Sequence, residues 1–82
     1  MDFTETNTLK NTSFLIKKVD KNSSFEDMLR KIKDLRRMPF HSVFLTFPII
    51  FYDQIYSVLE KADIKVIGFV QNKDNTISMK VS

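Results

Sequence analysis

The chain of 82 residues contains a single glycine, Gly68, which lies inside an apolar run at residues 64–70. Glycine destabilises a strand interior by about 0.5–1 kcal/mol relative to alanine, so it usually marks a bend, a bulge or a close backbone approach. Turns elsewhere in the chain must use Asn, Asp, Ser or Pro. Gly68 therefore identifies one particular strand, and the other elements must be arranged around it.

Two segments have the periodicity of amphipathic helices. The first begins at Ser23 or Ser24, each followed three residues later by an acidic residue, and Pro39 ends it. Its apolar residues have the i, i+3, i+4, i+7 spacing of one buried face: Phe25, Met28, Leu29, Ile32 and Leu35. The second helix covers roughly residues 51–62, with an apolar face of Phe51, Ile55, Val58, Leu59 and Ala62.

Strand patterns surround these helices. Residues 8–10 and 13–19 predict a hairpin joined by Asn11-Thr12, and residues 1–7 are expected to be a flexible N-terminus. Residues 42–47 and the Gly68 run predict two further strands. Residues 76–81 alternate apolar and polar side chains, which indicates a half-exposed strand at a sheet edge.

These elements predict a single domain over residues 1–82 of the α+β class. It is an α/β sandwich in which two helices pack on a mixed sheet of four to five strands, in the order (β)βαβαββ. Strand–helix–strand units favour right-handed crossovers and parallel neighbours. The 42–47 and Gly68 strands are apolar on both faces, so either a helix covers each face or one face meets a partner chain.

Composition restricts the class of function. The chain has no cysteine and one histidine, His41, which excludes a disulfide framework and a zinc site of the usual kind. No nucleophile or carboxylate is placed beside His41 by the sequence, so we predict a protein that is not an enzyme and has no cofactor and no small-molecule substrate. No apolar stretch approaches the ~20 residues that span a bilayer. A cytoplasmic protein without membrane insertion is expected.

Basic side chains concentrate on the first helix, in a chain with 13 basic and 10 acidic residues and a net charge of +3. The group fits contacts with phosphates or with an acidic protein surface. It also fits a solvated helix face, because Glu26, Asp27 and Asp34 accompany it. Its members are Arg30, Lys31, Lys33, Arg36 and Arg37.

Aromatic residues concentrate between Phe40 and Tyr56, a window that contains no Lys or Arg. A stacking platform for single-stranded nucleic acid needs basic residues interleaved with the aromatics. The window therefore predicts core packing, with a contact patch formed by residues beyond the helix face: Ile49, Ile50, Tyr52 and Tyr56.

Three stretches in order along the chain carry a family resemblance. They are a strand–turn–Ser-Phe segment at 9–14, the apolar strand 42–47, and the Val-Ile-Gly strand at 63–69 with the polar turn Asn72-Lys73-Asp74. Together they resemble the N-terminal domain of the bacterial septum-site-determining protein MinC. Asn11 stands where that domain commonly has glycine, and the domain's further helix after the Gly68 strand is missing here or is replaced by the strand at 76–81. The second MinC domain, which binds the ATPase MinD, has no counterpart in this sequence.

The resemblance implies a non-enzymatic inhibitor of cell division that binds the tubulin-like division protein FtsZ and blocks septum formation. By position it implies partner contacts at Lys10, Ser13 and Lys31. With the basic helix face, the predicted partner-binding residues are Lys10, Ser13, Arg30, Lys31, Lys33 and Arg37.

Two alternatives remain open. One is a small basic nucleic-acid-binding module of Alba-like topology, favoured by the basic residues at 30–37 and by Lys17-Lys18. The other is a homodimeric accessory protein that associates through the doubly apolar strands or through the edge at Ile77.

Overall fold

The computed structural model describes residues 3–19 and 23–82. This part of the chain forms one five-stranded mixed sheet with the strand order β1-β2-β3-β5-β4, and two α-helices. A single turn of 3₁₀ helix, Ile49–Phe51, leads into the second helix. The predicted α+β fold is confirmed. The elements in chain order are β1 Phe3–Asn7, β2 Asn11–Ile16, α1 Ser23–Leu35, β3 Ser42–Pro48, α2 Tyr52–Lys61, β4 Val66–Gln71 and β5 Thr76–Val81.

Both helices cover the same face of the sheet. β2 and β3 are parallel and are connected through α1, whereas β5 is antiparallel to both β3 and β4. The crossovers through α1 and α2 proceed in the same direction across the sheet, so right-handed connections place both helices on one side. The buried side chains form a single cluster between the helices and this face. Its fully buried members include Phe14, Leu45, Met79, Met28, Ile32, Ile55 and Leu59.

The opposite face of the sheet is open in the described part of the chain. Ser13, Phe44 and Ser78 point to this face and are half-buried by their strand neighbours. Thr46 and Ser78 lie side by side there, with their hydroxyl oxygens 3.0 Å apart. The structure does not place a helix on each face of the sheet. In the described part of the chain, both helices cover the same face.

The N-terminal residues correct two predictions. Residues 3–7, expected to be flexible, form β1, because Phe3 is buried and its ring packs edge-on against Phe14 with centroids 5.8 Å apart. The hairpin loop accordingly lies at residues 8–10, where the Thr8 amide donates to the Asn11 carbonyl over 2.8 Å. Asn11-Thr12, predicted to be the turn, instead begins β2, and Thr12 is buried.

The positions of β4 and β5 also differ from prediction. β5, expected at an edge, is an inner strand between β3 and β4. Its alternation of Ile77, Met79 and Val81 reflects the covering of one face and not an edge position. β4, which carries Gly68, is itself an edge strand, and a β-bulge interrupts its register between Val66 and Gly68.

Within residues 3–19 and 23–82, three residues other than glycine have a positive φ: Phe40 at 62°, Asp63 at 60° and Asn75 at 62°. Asp and Asn tolerate this left-handed conformation because their short polar side chains bond locally. For phenylalanine it costs about 1–2 kcal/mol, and Phe40 recovers nothing by packing because its side chain is 96% exposed. Phe40 is thus the one strained, unpacked aromatic residue in the described segments.

None of the helices in residues 3–19 and 23–82 is both long and apolar enough to cross a membrane.

Candidate protein-binding edge

The β4 edge exposes large apolar side chains. Ile67, Phe69 and Val70 are 58%, 61% and 64% exposed. β4 pairs with β5 on one side only, so along its other side the backbone N–H and C=O groups have no strand partner. β1, the other edge, presents polar exposed side chains, among them Thr4 and Thr6. Of the two sheet edges in the described part of the chain, the β4 edge therefore combines free backbone groups with apolar surface.

A β-bulge sets the directions of these side chains. Val66 pairs with Val81 and Gly68 with Lys80, which leaves Ile67 as the extra residue on β4. Beyond the bulge, Phe69 pairs with Met79 on the helix-covered face, and Val70 pairs with Ser78 on the open face. The apolar surface consequently wraps around the edge from one face of the sheet to the other.

Two tyrosines of α2 extend this surface. The ring of Phe69 packs edge-on against Tyr52 with centroids 6.5 Å apart, and Tyr52 stacks on Tyr56 at 5.9 Å. A groove of about 300 Å³ runs between α2 and the start of β4. Tyr56, Leu59 and Val66 are among its lining residues. Tyr52 and Tyr56 belong to the contact patch that the sequence indicates, and the structure joins them to β4.

Nothing in the described part of the chain requires glycine at position 68. Its φ is not positive, and a Cβ built on it meets no atom within 4 Å. The absence of a side chain leaves the β4 backbone bare beside the bulge, on the open face. The position is therefore accessible to an approach from outside the chain.

The six partner-binding residues predicted from sequence do not converge. Lys10 is exposed in the β1–β2 loop, and Ser13 lies on the open face of β2 opposite Phe44. The others belong to α1, which covers the opposite face, or to the segment after it. Arg30, Lys31 and Arg37 are exposed, and Lys33 is half-buried.

Two of these basic side chains are held in ion pairs. Lys31 donates to the Glu5 carboxylate over 3.0 Å and so connects α1 to β1, and Arg30 pairs with Asp27 at 3.3 Å. Hydrogen bonds from Asn7 (2.8 Å) and then from Lys31 lower the pKa of Glu5, against a smaller opposing effect of burial. The predicted basic face is thus partly used in contacts within the chain.

Replacing Glu5 by glutamine should make the domain slightly less stable at neutral pH, by less than about 1 kcal/mol, as is typical of a partly exposed ion pair. Because the folded state lowers the pKa of Glu5, its carboxylate stabilises the fold at pH values above the ordinary glutamate pKa of 4.5. This stabilisation is lost as pH falls through the lower folded pKa. Urea denaturation at pH 7 and pH 3 measures the difference. The gap between the variant and the wild type should be smaller at pH 3 than at pH 7, whereas Glu60→Gln, an exposed control on α2, should show no such gap. A gap as large at pH 3 as at pH 7 would contradict this account.

His41 takes part in a hydrogen-bond network within the fold. The Thr12 hydroxyl donates to Asn7 Oδ1 over 2.9 Å and lies 2.7 Å from His41 Nε2. Because a hydroxyl carries one proton, Thr12 then accepts from the protonated Nε2 of His41. This network fastens the hairpin to the start of β3. In residues 3–19 and 23–82, no three His, Cys, Asp or Glu side chains are grouped as metal ligands would be.

The sequence indicated the apolar character of β4 but not its position at the edge. A strand with apolar residues on both faces is typical of the interior of a sheet. The feature that distinguishes β4 is the bulge, which has no reliable sequence signal beyond Gly68 itself.

The chain matches no protein-family model, and no curated protein or solved structure is significantly similar to it.

Proposed function

We propose that this chain is a non-enzymatic protein-binding domain whose β4 edge pairs with an extended segment of a partner protein. The observation that carries the proposal is the exposure of Ile67, Phe69 and Val70 along a strand with one unpaired side. Strand addition takes its affinity from main-chain hydrogen bonds and its specificity from contacts with alternate side chains. Gly68–Gln71 keeps a regular register and offers the partner four residues for pairing.

For the partner we propose a tubulin-like division protein of the FtsZ type, which makes the chain a cytoplasmic inhibitor of septum formation. This choice depends on the resemblance to the MinC N-terminal domain. Its three stretches fall on the hairpin with β2, on β3, and on the segment that runs into β4. The third stretch includes Gly68 and Phe69, so the part of the chain that carries the resemblance also includes part of the exposed edge.

The test is sedimentation of purified FtsZ filaments with a several-fold excess of this protein. The wild type should reduce filament mass and length. The variant Ile67→Lys/Val70→Lys should be at least about tenfold less potent, because two charges would have to be buried against the partner strand. Thr4→Lys/Thr6→Lys adds the same charge to the opposite edge and should act as the wild type does. All four positions are exposed, so both variants should retain stability to within about 0.5 kcal/mol.

Different results would reject different parts of the proposal. Unchanged filaments with the wild type would reject the FtsZ-type partner. Equal losses in both double variants would show an effect of net charge and reject the β4 edge. A loss with Lys10→Glu, Ser13→Asp or Lys31→Glu, and none with the β4 variant, would transfer binding to the residues that the resemblance implies. In the wild-type complex, amide hydrogen exchange should slow at residues 68–71.

A further inference from the structure

Two almost fully exposed apolar side chains lie on neighbouring loops at one end of the sheet. Leu9, in the loop between β1 and β2, is 93% exposed, and Phe40, in the segment between α1 and β3, is 96% exposed. The Ser42 amide donates to the Lys10 carbonyl over 2.8 Å, which fastens the two loops together. Met38, 50% exposed, precedes Phe40 by two residues. The fold thus presents a pair of apolar tips from two neighbouring loops.

Nothing within the fold accounts for phenylalanine at position 40. Its φ of 62° belongs to the left-handed region, which asparagine or glycine occupies at less cost. The two other left-handed residues, Asp63 and Asn75, are of the tolerant kind. The backbone conformation of Phe40 and the exposure of its ring to water are both unfavourable. Such strain is typical of functional sites, and an apolar environment outside the chain would compensate for the exposure.

Basic side chains surround the tips. Lys10 adjoins Leu9, and Arg37 lies three residues before Phe40; both are exposed. Arg36, Arg37 and Lys65 line one shallow depression, in which Asp63 is the acidic residue. β2, β3 and β4 all begin at this end of the sheet, and β2 and β4 are three strand spacings apart, about 15 Å. This end therefore presents apolar tips and more basic than acidic side chains, with Glu60 and Asp63 beside Lys65.

We propose that this tip surface, formed by Leu9, Lys10, Arg36, Arg37, Met38, Phe40 and Lys65, binds peripherally to an anionic phospholipid bilayer. Leu9 and Phe40 enter the boundary between headgroups and acyl chains, and the basic side chains contact the phosphates of the headgroups. The charge is complementary to anionic lipid, and a fluid bilayer adapts to convex tips on separate loops. Phe40 beside basic residues also fits base stacking, but Leu9 and Met38 gain nothing from a nucleic acid.

Lys65 also lines the groove beside the start of β4. The other residues of the tip surface lie outside the β4 edge, and the proposal is independent of strand addition there. The membrane contact requires no spanning helix. Only side chains of two loops enter the bilayer, and they enter no deeper than the interface.

The experiment is co-sedimentation with vesicles of phosphatidylcholine alone and of an equal mixture of phosphatidylcholine and phosphatidylglycerol. The wild type should bind the anionic vesicles, less strongly as salt is added, and should not bind the neutral ones. Leu9→Ser/Phe40→Asn should reduce the partition coefficient about tenfold or more, because burial of one such side chain exceeds the free energy of a tenfold change. Ile50→Ser is the matched control, since Ile50 is 79% exposed beyond the opposite end of β3.

Misfolding cannot imitate this result. Phe40→Asn relieves the left-handed strain and should raise the thermal midpoint by about 4–8 °C while membrane binding falls. Failure of the wild type to bind anionic vesicles would overturn the proposal. So would undiminished binding by Leu9→Ser/Phe40→Asn, or an equal loss with Ile50→Ser. Binding of single-stranded DNA that depends on Phe40 and Lys10 but not on Leu9, without vesicle binding, would assign the surface to nucleic acid instead.

Discussion

Replacing Leu45 by alanine should lower the free energy of unfolding by about 2–5 kcal/mol. Leu45 is fully buried in the central strand β3, and its neighbours across the sheet, Phe14 on β2 and Met79 on β5, are fully buried as well. Alanine leaves a cavity between three strands and two helices that rigid neighbours cannot fill. A domain of this size has about 4–12 kcal/mol of stability in total, so the loss is a large part of it.

Phe44→Ala is the matched control, because Phe44 is adjacent on the same strand and points to the open face. There it lies between Ser13 and Lys80, and we expect a cost of about 1 kcal/mol or less. Urea denaturation of both variants at two protein concentrations makes the comparison. A cost at Phe44 that equals the cost at Leu45 and grows with protein concentration would show that a second copy covers the open face.

The two helices could be predicted because their signals are local. The spacing of Phe25, Met28 and Ile32 defines a buried stripe within about two turns of helix, and these three residues are buried. Ile55 and Leu59 define α2 in the same way. Helical hydrogen bonds join residues four apart, so the pattern and the structure it specifies occupy the same window.

The order of the strands could not be predicted in the same way, because pairing joins residues that are distant in sequence. β5 inserts between β3 and β4, which places the apolar β4 at an edge and the alternating β5 inside. The bulge at Ile67 then shifts the side-chain alternation of β4, so the pattern of Ile67, Phe69 and Val70 resembles that of a strand covered on both faces. A prediction from the alternation of side chains assumes that no bulge interrupts the register of the strand.

The candidate sites show the same limit. The family resemblance and the basic helix face both indicate Lys31 as a partner contact, but its pairing with Glu5 depends on β1, which the sequence does not indicate. The aromatic pattern predicts core packing for Phe40, because the sign of φ at one residue is not encoded in its identity. For phenylalanine the left-handed region is also an improbable expectation. The exposure of the apolar side chains of β4 and of the tip surface depends on how the strands pair in the folded sheet.

Removing residues 1–7 should destabilise the domain by about 3–5 kcal/mol, although the sequence pattern marks them as a tail. The deletion removes all of β1, whose five residues pair with β2 from Thr12 to Ile16. It also removes the ring of Phe3, which is 8% exposed and packs against Phe14. Part of the core under α1 then becomes accessible to water, and β2 becomes a new sheet edge.

Two point variants separate the contribution of the side chain from that of the strand. Phe3→Ala keeps β1 and should account for most of the loss, because burial of an aromatic ring is the largest contribution of this strand. Thr4→Ala, at an exposed position of the same strand, should change the free energy of unfolding by less than about 0.5 kcal/mol. Urea midpoints of the deletion and of both variants decide the matter. If the deletion leaves the midpoint unchanged, the N-terminus is the flexible segment that the sequence predicts, and β1 contributes nothing to the fold.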